Sequence, residues 1–296
     1  MPTLLAALGR TIAHPPEGLT SHKPIDLRAE VEADEAVCEA ILQAAFDACE
    51  NQASRKMEKP GKGCGFTWVH SPYCSYKSAN GVHVLMSGEV SAWPGIDAVQ
   101  AQHNAFVSGQ ASRDDEDDAH WLLDFYNTFV DPELEQASAV LGEAVLDRAL
   151  DCLAQVQGTF AFIIYDSVRH RVLAARDRDG TAPLYWGATP EGHLLFGSRL
   201  SDLALTNPTA TLFPAGVLFT SEQNLLTCPG EFGWTINRVD LPGELLSFVP
   251  AKDAAHFRGV KAIPRITSRG VVCGSVYKVA SIADLAHPMT PHGVPK

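Results

Sequence analysis

The stretch that decides the fold is Gly158–Ser198, which reads GTFAFIIYDSVRHRVLAARDRDGTAPLYWGATPEGHLLFGS. Apolar runs rich in β-branched and aromatic residues alternate here with short turns, a pattern typical of successive strands. The runs predict four strands, over Thr159–Tyr165, Arg171–Ala175, Pro183–Ala188 and His193–Gly197.

The rest of the chain adds helices upstream and further strands on both sides. Apolar residues at i, i+3 and i+4 predict helices, and period-two alternation predicts strands. The predicted helices are Glu35–Cys49, Ala119–Val130, Glu133–Gln157 and the short Ser198–Leu205; the further strands are Gly65–His70, Gly81–Glu89 and Pro214–Ser221; Asn51–Lys62 and Thr227–Gly259 are predicted to be irregular. This order fits two antiparallel sheets between layers of helices.

Charge and hydropathy exclude some classes of partner. The 296-residue chain has a formal net charge of −12, which argues against a nucleic-acid surface because such surfaces need clustered basic residues. No window approaches the roughly 20 apolar residues of a membrane span. The opening patch Leu4–Leu8 is too short for the core of a signal peptide. We expect an intracellular soluble protein with the cytoplasm as default, an organelle or the nucleus remaining open.

The cysteines favour buried thiols over a metal or redox centre. No Cys-x-x-Cys pair occurs, and the spacing is wide. A set of Cys64, His70 and Cys74 could form a nucleophile pair or a metal site, but the spacing alternates between faces. No phosphate-binding glycine loop is found. We expect no metal and no cofactor. The seven cysteines are Cys38, Cys49, Cys64, Cys74, Cys152, Cys228 and Cys273.

Three ordered motifs carry a resemblance to a known family. They are Phe160–Asp166, Ala174–Gly180 and Pro183–Trp186, and together they resemble the class II glutamine amidotransferase domains, such as the glutaminase domain of asparagine synthetase. The resemblance implies an α+β fold, the four-layer αββα sandwich of two antiparallel sheets seen in N-terminal-nucleophile hydrolases. Amidotransferase members hydrolyse glutamine and deliver ammonia.

A closer resemblance is to the aluminium-induced and stem-specific proteins of plants. It rests on His14–Leu19, Phe213–Gly216, Val260–Arg265 and Gly270–Gly274, and it is poorest over residues 20–110. We therefore expect residues 1–225 to form the sandwich and residues 226–258 to be an insertion or irregular segment. Residues 259–296 would supply a C-terminal strand and tail that complete the same domain.

The resemblance places the catalytic positions, and several of them are altered. The family nucleophile is an N-terminal Cys whose own α-amino group acts as base. Pro2 takes that position here, and it has no nucleophilic side chain. Ser87 replaces the Asn whose side-chain amide donates to the oxyanion, while Gly88 retains a backbone N–H for that role. Asp118 matches the acidic residue that holds the glutamine amine; a helix cap within an acidic run is an equal alternative.

The charged turn at Arg176, Asp177, Arg178 and Gly180 is predicted to be structural, pairing across strands beside the site. No arginine loop of the family type is found. We expect a substrate pocket that survives as a vestige lined by Ser87, Gly88 and Asp118, with no catalytic residue.

These observations leave three hypotheses. The first is a non-catalytic amidotransferase-like protein with a binding, regulatory or scaffold role. The second is a divergent glutamine amidohydrolase that is activated by processing or by an internal thiol. The third is a subunit of a larger assembly, with residues 227–256 as the contact surface. A protein partner or a homo-oligomer is plausible, and the small-molecule ligand is unknown.

Overall fold

The computed structural model of the protein describes residues 3–16, 18–19, 31–48, 54–94, 117–130, 142–206, 209–221, 243–249, 259–270 and 272–279. Two six-stranded antiparallel sheets dominate these residues, and a separate two-stranded pair lies beside them.

The first sheet, sheet A, contains the strand nearest the start of the chain at its centre. Its spatial order is β10 (Thr211–Leu212), β8 (Tyr185–Ala188), β9 (Leu194–Gly197), β1 (Leu4–Leu8), β3 (Cys64–Val69) and β2 (Arg55–Gly61). In the register, Ala6 of β1 lies opposite Phe66 on one side and Phe196 on the other.

The second sheet, sheet B, contains the motif strands. Its spatial order is β12 (Glu244–Ser247), β11 (Val217–Thr220), β7 (Arg171–Arg176), β6 (Gln157–Asp166), β5 (Val82–Ala92) and β4 (Cys74–Ala79). The separate pair consists of β13 (Val260–Ile266) and β14 (Val272–Val279).

Helices cover the outer face of each sheet. They are α1 (Val31–Asp47) on sheet A, and α2 (Asp118–Phe125) and α3 (Gly142–Gln155) on sheet B. A π-helical turn at Tyr126–Val130 directly follows α2, and a 3₁₀ segment spans Leu200–Thr206. Helix α2 begins where the side chain of Asp117 accepts the backbone N–H of His120 at 3.0 Å, a normal N-cap. None of the helices among the described residues is long and apolar enough to cross a membrane.

The core consists of three apolar clusters, because successive side chains of a strand point to opposite faces of its sheet. On β6, Phe160, Phe162 and Ile164 face the helices, whereas Ala161 and Ile163 face sheet A. All five are at most 1 % exposed, and burying a side chain such as Phe or Ile contributes roughly 1.5–3 kcal/mol. A third, smaller cluster lies between α1 and sheet A. The expected α+β sandwich, with helices outside two antiparallel sheets, is confirmed.

A glycine allows α1 to approach sheet A closely. A Cβ at Gly65 would lie 2.1 Å from Cδ1 of Leu42 on the helix. A larger residue in β3 at this position would require the Leu42 side chain to move, since close-packed interiors leave little free space.

The four strands predicted from the deciding stretch are confirmed, with ends that differ by no more than two residues. The prediction for Asn51–Lys62 is wrong, because Arg55–Gly61 forms β2. This strand is polar because it lies at a sheet edge, where lysine and proline are common and prevent further pairing. Within Thr227–Gly259, Glu244–Ser247 pairs with β11 rather than being irregular. Residues 227–242 and 250–258 of that segment lie outside the described ranges.

The two outlying segments that carried the closer resemblance contact each other. Gly18 has a φ of +85°, and a Cβ there would lie 2.5 Å from Oγ of Ser275 in β14 and 3.0 Å from Cβ of Ala262 in β13. The backbone N–H of Gly243 donates to the carbonyl of His14 at 3.1 Å. The His14–Leu19 segment therefore attaches the C-terminal pair to the sandwich.

Candidate functional site

The start of β1 is fixed between its two neighbouring strands. The carbonyl of Thr3 accepts the N–H of Val69 at 2.9 Å, and the N–H of Leu4 donates to Oγ of Ser198 at 3.1 Å. Thr3 is itself buried. Pro2, the expected nucleophile position, lies outside the described residues, but the chain leading into β1 contains no cysteine from Met1 to Leu8.

A thiol does approach this point from sheet B. Sγ of Cys74 lies 4.0 Å from the carbonyl oxygen of Thr3, and Cys74 is paired with Ser87 in the β4–β5 register. The side chain is 1 % exposed. Burial raises the pKa of Cys74 to about 12, so the thiol stays protonated at neutral pH.

Gly88 has a special backbone conformation that two strands impose. Its φ is +126°, and a Cβ would lie 2.0 Å from the carbonyl oxygen of Thr159 on β6. Its N–H donates to the carbonyl of Tyr73 at 2.9 Å. The N–H that the resemblance assigned to an oxyanion is thus already bonded within the protein.

A small cavity lies beside these residues, at the end of the space between the two sheets. Its volume is about 230 Å³. Oγ of Ser87 is 1 % exposed and has no hydrogen-bond partner among the described residues. The residues lining it are Tyr73, Ser87, Gly88, Glu89, Thr159, Thr181, Ala182 and Pro183.

Asp118 does not line this cavity. Its Oδ2 accepts the N–H of Val90 at 3.1 Å, which ties the first turn of α2 to the end of β5. Burial raises the pKa of Asp118, while the hydrogen bond from Val90 opposes the rise. The structure therefore brings Ser87 and Gly88 together at the cavity and uses Asp118 to attach the helix.

Arg176 and Asp177 organise the loop that forms one wall of the cavity. The guanidinium of Arg176 donates to three carbonyls, those of Ala182 at 2.6 Å, Phe213 at 3.0 Å and Gly180. These partners are loop carbonyls, whereas the sequence prediction placed the pairing across strands. Gly180 has a φ of +66°, which a turn residue without Cβ adopts at no steric cost.

The carboxylate of Asp177 completes the same loop. It accepts the backbone N–H groups of Asp179 at 3.1 Å, Thr181 at 2.9 Å and Ala182 at 2.8 Å. Arg178 itself is exposed, and it lies on a second, larger cavity of about 620 Å³ between this loop and the end of α3. The charged turn thus shapes two cavities without presenting the Arg176 or Asp177 side chain as a reactive group.

Sequence reasoning missed Tyr73, Thr159 and Thr181 as lining residues. Thr181 directly follows the charged turn, and Thr159 opens the decisive stretch, so the motif itself placed both near the site. Nothing in the sequence pointed to Tyr73, which comes from the turn before β4.

The set of Cys64, His70 and Cys74 does not form a site. Cys64 lies in sheet A and Cys74 in sheet B, and both are buried. Burial raises the pKa of Cys64 well above its ordinary value, with the nearby Cys38 adding to the effect. Within the described ranges, no group of three or more His, Cys, Asp or Glu side chains is arranged to hold a metal ion.

One segment of the chain is similar in sequence to known enzymes. The chain is 36% identical over 77 residues to asparagine synthetase B [glutamine-hydrolyzing] of Escherichia coli, which covers 26% of this chain and 14% of that enzyme. It is 34% identical over 85 residues to asparagine synthetase [glutamine-hydrolyzing] 1 of Saccharomyces cerevisiae, covering 28% and 15% respectively. The matched segment thus spans about one seventh of the length of these relatives. Over these residues the chain is similar to the glutamine-hydrolyzing asparagine synthetases.

Two solved structures are similar to this chain at low identity. Glutamine phosphoribosylpyrophosphate amidotransferase from B. subtilis superimposes with a TM-score of 0.42 at 12% identity, covering 83% of this chain and 49% of that one. A glutamine aminotransferase class-II domain protein from silicibacter pomeroyi gives a TM-score of 0.37 at 15% identity, covering 84% of this chain and 100% of that one.

A family model matches part of the chain. Residues 145–247 match the model of the family described as aluminium induced protein. This region includes the whole deciding stretch and extends through β12. The resemblance to the aluminium-induced proteins, stated above from the motifs, is confirmed over these residues.

Proposed function

We propose that this amidotransferase-like domain does not hydrolyse glutamine and acts by binding a small polar molecule. The proposal is supported by the ionisation of the thiol and the bonding of the N–H donor near the start of β1. The thiol that reaches this point, Cys74, is buried and protonated, and the N–H of Gly88 is bonded to Tyr73.

The ionisation of Cys74 decides against its use as a nucleophile. With a pKa of about 12, roughly one thiol in 30,000 is ionised at pH 7.5, against about one in ten for an ordinary cysteine. Attack on an amide also requires a base, and no acceptor other than the Thr3 carbonyl is seen near Sγ among the described residues.

The oxyanion would also lack donors. Ser87 has a hydroxyl in place of a longer amide, and the Gly88 N–H would have to leave the Tyr73 carbonyl. The loss of one such donor lowers kcat by about 10²–10³ in comparable sites. Loss of two donors and of the nucleophile would leave no measurable turnover.

The cavity supports a role in binding over a role as a scaffold protein whose substrate pocket is filled by side chains. It is open, and its volume of about 230 Å³ is smaller than the ~300–1,000 Å³ of drug-sized sites, so it suits a molecule the size of an amino acid. Ser87, Thr159 and Thr181 are among the lining residues. The buried Ser87 hydroxyl lacks a partner among the described residues, which costs about 1–3 kcal/mol that a ligand bonding to it would recover.

The test uses an electrophilic glutamine analogue, a diazoketone that alkylates active-site thiols, followed by intact-mass spectrometry. We expect no adduct on the native protein after hours at pH 7.5. Calorimetric titration with L-glutamine, L-asparagine and L-serine should show binding of at least one of them, and Ser87→Val should abolish it. A stoichiometric adduct, or a lack of binding by all three amino acids, contradicts the proposal.

A further inference from the structure

The larger of the two cavities, about 620 Å³ in volume, lies on the helix side of sheet B. Its lining includes the last turn of α3 (Leu153–Gln155) and the charged turn Asp177–Asp179, and we call it the α3 cavity. Phe160, which also lines it, belongs to the core between sheet B and the helices, whereas Thr159 lines the small cavity. Because successive side chains of β6 point to opposite faces, the sheet separates the two cavities. The volume is within the ~300–1,000 Å³ typical of small-molecule sites.

The α3 cavity presents two opposite charges that the protein does not use. The side chains of Arg178 and Asp179 are both exposed, and within the described part of the chain neither makes a hydrogen bond or an ion pair. Their neighbours Arg176 and Asp177 differ, since both are buried and bonded to backbone groups of the loop. The charge that a ligand can reach in this cavity is therefore one guanidinium and one carboxylate.

The end of helix α3 adds further negative potential. The carbonyl end of a helix has a partial negative charge that basic side chains commonly compensate, and the last turn of α3 contains no basic residue. This turn lines the cavity. A cation placed between the end of α3 and Asp179 would be attracted by both, while Arg178 would attract an anion.

Apolar side chains complete the lining. Pro94, Val156 and Phe160 all contribute to it. A ligand that pairs with the two charges would therefore also cover apolar surface, which contributes roughly 25 cal/mol for each Å² removed from water.

We propose that the α3 cavity binds a short zwitterionic peptide, of about two residues, with an apolar side chain. Its carboxylate pairs with the guanidinium of Arg178, which matches a carboxylate with two parallel N–H groups. Its ammonium group lies between Asp179 and the carbonyl end of α3, and its side chain contacts the apolar lining. The proposal is independent of the small cavity and of whether glutamine is hydrolysed.

Charge and volume favour this ligand over three others. A phosphate dianion would be repelled by Asp179 and by the end of α3, with Arg178 alone to attract it. A purely apolar molecule would remove both charged side chains from water without pairing them. A single amino acid has both charges, but it leaves most of a volume of about 620 Å³ unfilled.

The experiment is a calorimetric titration of the full chain with the dipeptide alanyl-phenylalanine, its N-acetyl form, its C-terminal amide and glycyl-glycine. We expect alanyl-phenylalanine to bind with the highest affinity. Blocking either terminus should weaken binding about three- to fivefold, the value of one partly exposed ion pair. Glycyl-glycine, which lacks the apolar side chain, should bind more weakly still.

Two variants assign the contacts. Arg178→Gln should bind the free acid and the amide equally, and Asp179→Asn should bind the free and the acetylated amine equally. Each variant should keep its preference at the other terminus, a result that partial unfolding would not give. The matched control is Lys77→Gln, which removes an exposed charge on β4 and should retain both preferences.

The following results would overturn the proposal. One is that alanyl-phenylalanine does not bind at millimolar concentration, and another is that the blocked dipeptides bind as well as the free one. A third is that Arg178→Gln and Asp179→Asn retain both preferences, as Lys77→Gln does. Binding that Ser87→Val removes and Arg178→Gln does not would place the dipeptide in the small cavity and would also contradict it.

Discussion

Replacing Gly88 by alanine should destabilise the protein more than any ordinary glycine substitution. A Cβ at Gly88 would lie 2.0 Å from the carbonyl oxygen of Thr159, 2.8 Å from its carbonyl carbon and 2.9 Å from Cα of Phe160. All three atoms are backbone of β6, a central strand, so no side chain can rotate away. The φ of +126° adds backbone strain of about 1–3 kcal/mol. Separating the strands would weaken one or two hydrogen bonds of about 1 kcal/mol each, for a total of about 2–5 kcal/mol.

The control is Gly63→Ala, which separates strain from steric conflict. Gly63 has a φ of +70°, but a Cβ there would meet its nearest atoms only at 3.9 Å. We expect it to cost about 1–2 kcal/mol. Urea unfolding followed by circular dichroism and tryptophan fluorescence would measure both. If the two variants lose the same free energy of unfolding within about 0.5 kcal/mol, the close approach of β5 and β6 does not make a side chain at position 88 more costly than one at position 63.

Three further outcomes follow from the same contacts. Asp177→Asn should lower the free energy of unfolding by about 2–4 kcal/mol, because an amide cannot accept all three loop N–H groups; no change in urea midpoint would contradict this. Cys74 should react with maleimide only after unfolding, as read by peptide mapping, and rapid labelling of the native protein would show that the thiol is accessible. Burial lowers the pKa of His83, whose Nδ1 is hydrogen-bonded to Tyr76 at 2.8 Å. The neutral His83 therefore contributes to the stability of the fold above pH ~6.5, and this contribution is lost as the pH falls toward the lower pKa of the native state. Stability measured from pH 7.5 to 5.5 should fall less steeply in His83→Gln, and an identical slope would refute this assignment.

The central strands were predictable because they are buried on both faces. β6 and β7 read as nearly unbroken apolar runs, and the polar residues that interrupt the chain at Asp166 and Arg176 stand at their ends. The edge strands were not predictable in the same way. β2 alternates little and contains Lys and Pro, and β12 is only four residues long.

Two residues of the site were predictable from the sequence, but their hydrogen bonds were not. Ser87 and Gly88 could be placed by motif, since the residues that carry the resemblance are contiguous. The bond from the Gly88 N–H to Tyr73 and the approach of Cys74 to Thr3 both depend on where the start of β4 lies, beside the middle of β5 and near the start of β1. The second contact joins residues 71 positions apart, a separation that local patterns do not encode.

Steady-state release of glutamate and ammonia from L-glutamine tests the central claim most directly. The full chain at micromolar concentration and pH 7.5, under reducing conditions, should release neither above the rate of buffer alone, because the one thiol seen at the start of β1 among the described residues is protonated and the oxyanion donors are lacking or engaged. Turnover that Cys74→Ser, or any other single cysteine substitution, abolishes would contradict the account.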